Sequence, residues 1–352
     1  MSRFMNERMR DLAPYEPGEQ PQTDELIKLN SNENPYPPSP VVKQAVAMID
    51  QDNMRLYPDP DTGLVIRSLA AYYGLREDQI AMGNGSDEIL AFAYMAYGGR
   101  VYFPETSYGF YPVFGTLFDC EAHPVRMDDD MRIKPEQYRA NDGLVVIANP
   151  NAPTGMALTR AEVEEILRAN PDQVVVIDEA YVDFGAESCV PLADSYENLL
   201  IVQTFSKSRS LAGMRIGFAI GDSALIDDIN RVKFSFNPYN LSQEAIIAAK
   251  AAIDDDEYFQ LQRQRVIRTR EAFCRELDRM GVFYYPSQAN FVFAKTGSGV
   301  YEALRERGIL VRHWETPKIR DFIRVTIGRD EDMKKLTAAL EEILGARRQG
   351  AE

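Results

Sequence analysis

Histidine and cysteine are scarce in this chain, and tryptophan occurs once. With only His123 and His313 among 352 residues, histidine-based metal chemistry is nearly excluded. The three cysteines, Cys120, Cys189 and Cys274, lie far apart with no C-x-x-C spacing. They argue for a reducing compartment, and against both a disulfide framework and a zinc site. Basic residues are outnumbered 39 to 54, for a formal net charge of −15. That balance argues against a nucleic-acid partner, and any anionic ligand must be held by a local basic site. No run approaches the roughly 18 apolar residues of a membrane span. The polar stretch Met1–Glu25 lacks the apolar core of a signal peptide, so a cytoplasmic protein is expected.

What is present is an ordinary globular composition, 45% hydrophobic and 26% charged, in a chain longer than one core usually supports. Pro14, Pro17, Pro21, Pro35, Pro37, Pro38 and Pro40 predict an irregular opening arm. Helices are expected over Val41–Ile49, Thr62–Tyr73, Glu88–Tyr97 and Arg160–Ala169, the last capped by Thr159. Short apolar strands are expected at Ile80–Met82, Arg100–Phe103, Leu144–Ala148, Val174–Ile177 and Leu199–Gln203. Phe218–Ile220 reads as one more, a candidate for antiparallel pairing. Runs so rich in Val, Ile and Leu, separated by helices, predict a parallel sheet covered on both faces. One long helical stretch is expected from Ser242 to about Met280. Strand and helix then alternate to the end, which suggests a smaller α+β domain.

Polar residues gather where these strands end, the place where open α/β sheets bind ligands. Strand 100–103 runs into Pro104–Tyr108, strand 144–148 into Asn149–Gly155, and strand 174–177 into Asp178–Tyr181. Strand 199–203 leads to Thr204-Phe205-Ser206-Lys207, with Arg215 in the same turn. Each group has a plain structural reading: Asp178 as a helix cap, Gly85-Ser86-Asp87 as a turn, Tyr108 as core packing, Arg215 as a surface ion pair. Together they point to chemistry. An amine used covalently must sit out of bulk water beside a carbonyl carbon. Thr204, Ser206 and Arg215 could hold a dianionic phosphate next to Lys207, as a pyridoxal phosphate site requires. Asp178 could keep a pyridine nitrogen protonated, and the helix start at Gly85–Asp87 could cradle the phosphate. It is not a dinucleotide fingerprint, because Glu88 stands where a third glycine belongs.

These residues, with Leu29–Pro35 and Arg55–Asp59, resemble the fold-type I pyridoxal-phosphate-dependent aminotransferases in the histidinol-phosphate aminotransferase branch. The likeness runs from Leu12 to Gly328. It implies an α/β fold with a mainly parallel seven-stranded sheet between helices. It also implies an N-terminal arm over 1–45, a large domain over 46–255 and a small α+β domain over 256–352. Lys207 is implied as the lysine bonded to the cofactor and as proton shuttle, Asp178 as partner of the pyridine nitrogen, and Tyr181 as donor to the phenolic oxygen. Tyr108 is implied as the stacking ring, and Gly85, Ser86, Asp87, Thr204, Ser206 and Arg215 as phosphate and cofactor contacts. Tyr57 would reach the phosphate of a partner subunit in a homodimer with shared sites. Tyr15, Asn32, Arg312 and Arg324 would contact substrate. The implied reaction exchanges an amino group between histidinol phosphate and 2-oxoglutarate, with no metal, nucleic acid or membrane involved. The family often carries asparagine directly before Pro-Thr-Gly; here that residue is Ala152, and Asn151 is the candidate to replace it. An aromatic amino-acid aminotransferase and a threonine-phosphate decarboxylase of this fold are the rival readings. A non-catalytic regulator would carry an added domain or lack the lysine.

Overall fold

Alternate residues of the apolar runs face opposite sides of one sheet, and each side meets its own layer of helices. The computed structural model describes residues 2–10, 12–20 and 26–350. Of the predicted arm, Met1, Asp11 and residues 21–25, including Pro21, lie outside the described residues. Residues 12–20 have no regular structure, after one short 3-10 turn at Glu7–Met9.

In chain order the elements are β1 (Ile27–Leu29), α1 (Pro40–Ala47), α2 (Gly63–Tyr73), β2 (Ile80–Asn84), α3 (Gly85–Tyr97), β3 (Arg100–Pro104) and α4 (Phe110–Leu117). Next come β4 (Glu121–Val125), β5 (Leu144–Ala148), α5 (Arg160–Ala169), β6 (Val175–Asp178), β7 (Leu199–Thr204), β8 (Ile216–Gly221) and α6 (Ser223–Phe236). The chain ends with α7 (Gln243–Asp254), α8 (Asp256–Met280), β9 (Phe283–Tyr284), β10 (Phe291–Lys295), α9 (Val300–Glu306), β11 (Ile309–Val311), β12 (Phe322–Thr326) and α10 (Asp330–Gly350).

The large sheet has seven strands in the order β2-β8-β7-β6-β5-β3-β4. All its pairings are parallel except those of β8, which runs antiparallel to both β7 and β2. Val145, Ile147, Val175, Ile177, Leu199 and Ile201 pack in one core with Val65 and Leu69 of α2, Val163 of α5 and Ile246 of α7. Leu144, Val146, Val176, Leu200 and Val202 pack on the other side with Ile89 and Phe92 of α3, Phe114 of α4 and Ile229 of α6. A third core joins Leu29 and Tyr36 to Phe273 and Leu277 of α8, Phe291, Val325 and Leu336. There the strands form a three-stranded antiparallel sheet, β12-β10-β9, and a parallel pair, β1-β11.

Several elements depart from the sequence reading. The stretch after Ser242 is two helices rather than one, because Asp255 interrupts it and caps α8 with its carboxylate on the Tyr258 N–H. Helix α3 starts at Gly85, three residues early, since Gly85 takes φ +77° and lets the strand turn straight into the helix. Strand β4 and helices α4 and α6 were not expected. β4 is a partly exposed edge strand containing Pro124, without the alternation that marks a strand.

Candidate active site

The carboxyl ends of β3, β5, β6 and β7 are neighbours in the sheet, so their polar ends converge in space. They line a crevice of about 590 Å³, closed over by the arm at Tyr15, by Asn30–Glu33, and by Arg312, Trp314 and Arg324 of the smaller unit.

Lys207 lies in the turn after β7, its Nζ 3.3 Å from the carbonyl of Ser31. Burial, with the Arg324 guanidinium as the next cause, brings its amine down to about 8. Asp178 is the last residue of β6 and only 4% exposed. Its Oδ2 accepts the Tyr111 hydroxyl at 2.9 Å and its Oδ1 accepts the Ala180 N–H at 3.1 Å. Burial still pushes its carboxyl up to about 6, against those stabilising donors. A partly buried amine and a buried carboxylate therefore face one cavity.

At one end of the crevice, helix α3 begins with Ser86 and Asp87 N–H groups that have no hydrogen-bond partner among the described residues. Arg215 stands beside them, bonded to Asp87 Oδ2 at 3.2 Å, while Tyr108 donates to Asp87 Oδ1 at 2.8 Å. With the Asp87 side chain so occupied, its contribution toward a ligand is its backbone. A Cβ on Gly85 would stand 2.5 Å from Arg215 Nη2, and one on Gly217 would stand 2.4 Å from the Ser86 nitrogen. Bare backbone is what lets the helix start, β8 and the guanidinium crowd together. Thr204 Oγ1 and Ser206 Oγ lie 2.9 Å apart on the same side.

Tyr181 is buried, and its hydroxyl accepts the Asn32 amide at 2.9 Å, leaving its own proton to be donated into the crevice. Asn32 is fixed in turn by Thr326 and Asn290. Arg324 donates from Nη2 to the Asn30 carbonyl at 2.9 Å, and its buried Nε has no partner among the described residues. Arg312 donates to the carbonyls of Glu16 and Pro17. Neither arginine pairs with a carboxylate among the described residues; both pack near the indole of Trp314. Tyr15 stacks on Phe110 with ring centroids 4.3 Å apart.

Two expected residues stand elsewhere. The Asn151 side chain is turned away, accepting from Ser107 at 2.7 Å and donating to the Thr106 carbonyl at 3.0 Å. Ala152 and Pro153 line the crevice there, and Asn151 is not among its lining residues. Tyr57 is 80% exposed and stacks on Tyr239, outside its own chain's crevice. Three residues escaped the sequence reading. Tyr111 looks like any aromatic of an apolar helix, Trp314 was marked only by being single, and Asn34 lies inside a matched stretch but bears no distinguishing signal.

Comparison with known proteins follows the same lines. The family described as aminotransferase class I and II matches residues 24–340. The histidinol-phosphate aminotransferase 1 of Bordetella parapertussis is 49% identical over 356 residues, spanning 98% of this chain and 100% of that protein. The protein of the same name from Bradyrhizobium diazoefficiens is 48% identical, again over 98% and 100%. Among solved structures, the histidinol-phosphate aminotransferase of Sinorhizobium meliloti in complex with pyridoxal-5'-phosphate superposes with a TM-score of 0.84 at 25% identity, over 91% of each chain.

Proposed function

The chain belongs to the class I and II aminotransferases, and we propose that within them it moves an amino group between histidinol phosphate and 2-oxoglutarate, with pyridoxal phosphate as cofactor. The observation that carries the reading is the pairing in one crevice of the Lys207 amine and the buried Asp178 carboxylate, with the α3 start and Arg215 at its end.

The residues present fit that cofactor. Gly85 and Gly217 leave a cradle that a Cβ would fill, and Ser86, Asp87, Ser206 and Arg215 border it with N–H, hydroxyl and guanidinium donors suited to a phosphate. Thr204 steadies Ser206, and Tyr108 lines the crevice wall. Asp178 would hold the proton of a ring nitrogen, and Tyr181 would donate to a ring oxygen. When bound, pyridoxal phosphate supplies a carbon that amines attack and a ring that accepts the electron pair left at the donor's Cα.

Lys207 does the moving. Its Nζ would hold the cofactor and, once freed by the donor's amine, would take up and release the proton at the donor's Cα. An amine brought down to about 8 can both accept and release a proton near neutrality. Asp178, kept in place by Tyr111 and Ala180, would keep the ring nitrogen positive while that proton moves. Arg324 and Arg312, without carboxylate partners among the described residues, are seats for the anionic groups of both substrates, with Tyr15 and Asn32 beside them.

The working unit we propose is a cytoplasmic homodimer with Tyr57 serving the partner's site. Support comes from exposed apolar side chains close to Tyr57 in sequence, Met54 and Leu56, and from the exposed Tyr239 stacked on it. Among the described residues no helix is long and apolar enough to cross a membrane. We also propose a large unit and a small unit, dividing near Asp255. The N-terminal division is better set before Pro40 than at residue 45, because α1 packs whole against α7.

The test is a side-by-side measurement of kcat/KM with histidinol phosphate, phenylalanine, tyrosine and threonine phosphate as substrates. The proposal expects histidinol phosphate to lead. A preference for phenylalanine would overturn the substrate assignment, and release of carbon dioxide from threonine phosphate would favour the lyase.

A further inference from the structure

Lys207 must carry its amine between two atoms of the reaction, so the main chain beneath it needs a fixed anchor. That anchor comes from the N-terminal segment. Asn34 Nδ2 donates to the carbonyl of Lys207 at 3.0 Å and to the carbonyl of Ser208 at 3.1 Å. Its Oδ1 accepts the N–H of Tyr36 at 3.0 Å. Three residues earlier, the carbonyl of Ser31 takes the lysine's own Nζ. One short segment thus grips the lysine at both ends.

The same segment is tied to the smaller unit at every step. Arg324 holds the Asn30 carbonyl at 2.9 Å, Asn290 holds the Asn32 carbonyl at 2.9 Å, and Arg329 holds the Pro35 carbonyl at 3.0 Å. Ser208, in contrast, is bonded through its hydroxyl to Asp183 in the turn after β6. The Asn34 amide is therefore a cross-tie between the segment that carries the substrate-facing residues and the turn that carries the lysine.

We infer that Asn34 is a positioning residue for the proton transfer, acting through the main chain of Lys207; this rests on the proposed function above. Asparagine suits the place because two carbonyls need two N–H donors while the Tyr36 N–H needs an acceptor, and one short amide supplies all three. Aspartate has the same shape but would set a carboxylate against two carbonyl oxygens. Misplacing a reacting group by about 1 Å costs on the order of a hundredfold in rate, so a loosened lysine turn should show in the proton-transfer step.

The experiment compares the wild-type holoenzyme with Asn34→Ala, Asn34→Asp and Asn34→Ser. It measures thermal midpoint, borohydride trapping of the cofactor on Lys207, kcat and KM for histidinol phosphate, and the isotope effect with deuterium at the donor's Cα. The inference expects trapping to persist and KM to change less than about threefold. It expects kcat to fall roughly ten- to a hundredfold in the alanine and aspartate variants, with a larger isotope effect, and serine to lie between them and wild type. Serine keeps one donor and leaves the fold least disturbed, so it decides the matter if the aspartate variant does not fold. Wild-type kcat and isotope effect in the variants that fold, or restoration by aspartate of what alanine loses, would overturn the inference. A wild-type enzyme that transfers no amino group from any donor would instead overturn the proposed function.

Discussion

The hydroxyl of Tyr111 donates to Oδ2 of Asp178 at 2.9 Å; both side chains are buried, Asp178 lining the crevice and Tyr111 behind it. The bond steadies a charge that its surroundings disfavour. Burial raises the Asp178 carboxyl to about 6, above its unfolded value near 3.9, so the folded, cofactor-free protein binds a proton more tightly than the unfolded chain. Stability from this group is full below about 4 and declines as pH rises through about 6. Asp178→Asn should flatten that decline, which spans roughly 3 kcal/mol, and Tyr111→Phe should extend it upward by about 1.5–3 kcal/mol. Urea unfolding of the cofactor-free protein at a series of pH values measures both. Glu179, raised by burial to about 7, remains as a second source of pH dependence in each variant.

In the loaded enzyme the same Asp178→Asn change should leave cofactor bound through the phosphate contacts. Proton abstraction should slow by well over tenfold, at roughly 1.4 kcal/mol per decade. Single-turnover kinetics give the rate directly, and an unchanged rate would remove Asp178 from its proposed role.

How far the site could be read in advance depended on the kind of signal. Lys207, Asp178 and Tyr181 follow apolar strands whose ends announce themselves, and the sheet then forces them together. Tyr111 and Trp314 could not be marked, because a side chain that bonds across the fold leaves no periodic trace in its own segment. The same holds for the elements. Thr159 caps α5 with the reciprocal Glu162 contact that local sequence encodes. β4 forms because β3 offers it a parallel pairing edge, and α4 because the fold buries Tyr111 and Phe114, although α4 contains Pro112 and Gly115.

Arg324→Lys should weaken both half-reactions, since a point charge cannot reproduce the planar fork of a guanidinium. Tyr15→Phe should mainly weaken the phosphate-bearing substrate, by about 0.5–1.5 kcal/mol. Comparing kcat/KM for histidinol phosphate and phenylalanine in both variants checks the pair. Equal losses for Tyr15→Phe on both substrates would argue against a phosphate contact.

The exposed Tyr57 makes a prediction about assembly. Its loop is held by Lys233, which donates to the Pro60 carbonyl at 3.1 Å, so the ring is presented from a fixed base. Tyr57→Phe and Lys207→Ala protomers, each impaired alone, should recover activity when subunits exchange, because half of the mixed dimers' sites carry neither defect. With random exchange about a quarter of all sites should be intact. No recovery, with exchange verified, would mean that Tyr57 serves no partner site.

The Lys207 amine also has a predicted titration. In the cofactor-free protein its acylation rate should rise with pH to a midpoint near 8, below that of an exposed lysine, since only the free amine reacts. Arg324→Gln should move the midpoint upward, because the guanidinium beside the amine is one cause of the lowering. An unmoved midpoint would remove Arg324 as a cause of the lowering.

The most direct test of the account is where the cofactor is attached. Purified protein should be yellow, and borohydride should fix the cofactor to the peptide that contains Lys207, with Lys207→Ala abolishing both the adduct and, by several orders of magnitude, the transfer rate. Lys233 is the informative alternative, being buried and also lowered by burial, yet bonded to the Pro60 carbonyl away from the crevice. An adduct on Lys207 is the predicted result; an adduct mapped to Lys233 or to any other lysine would contradict it.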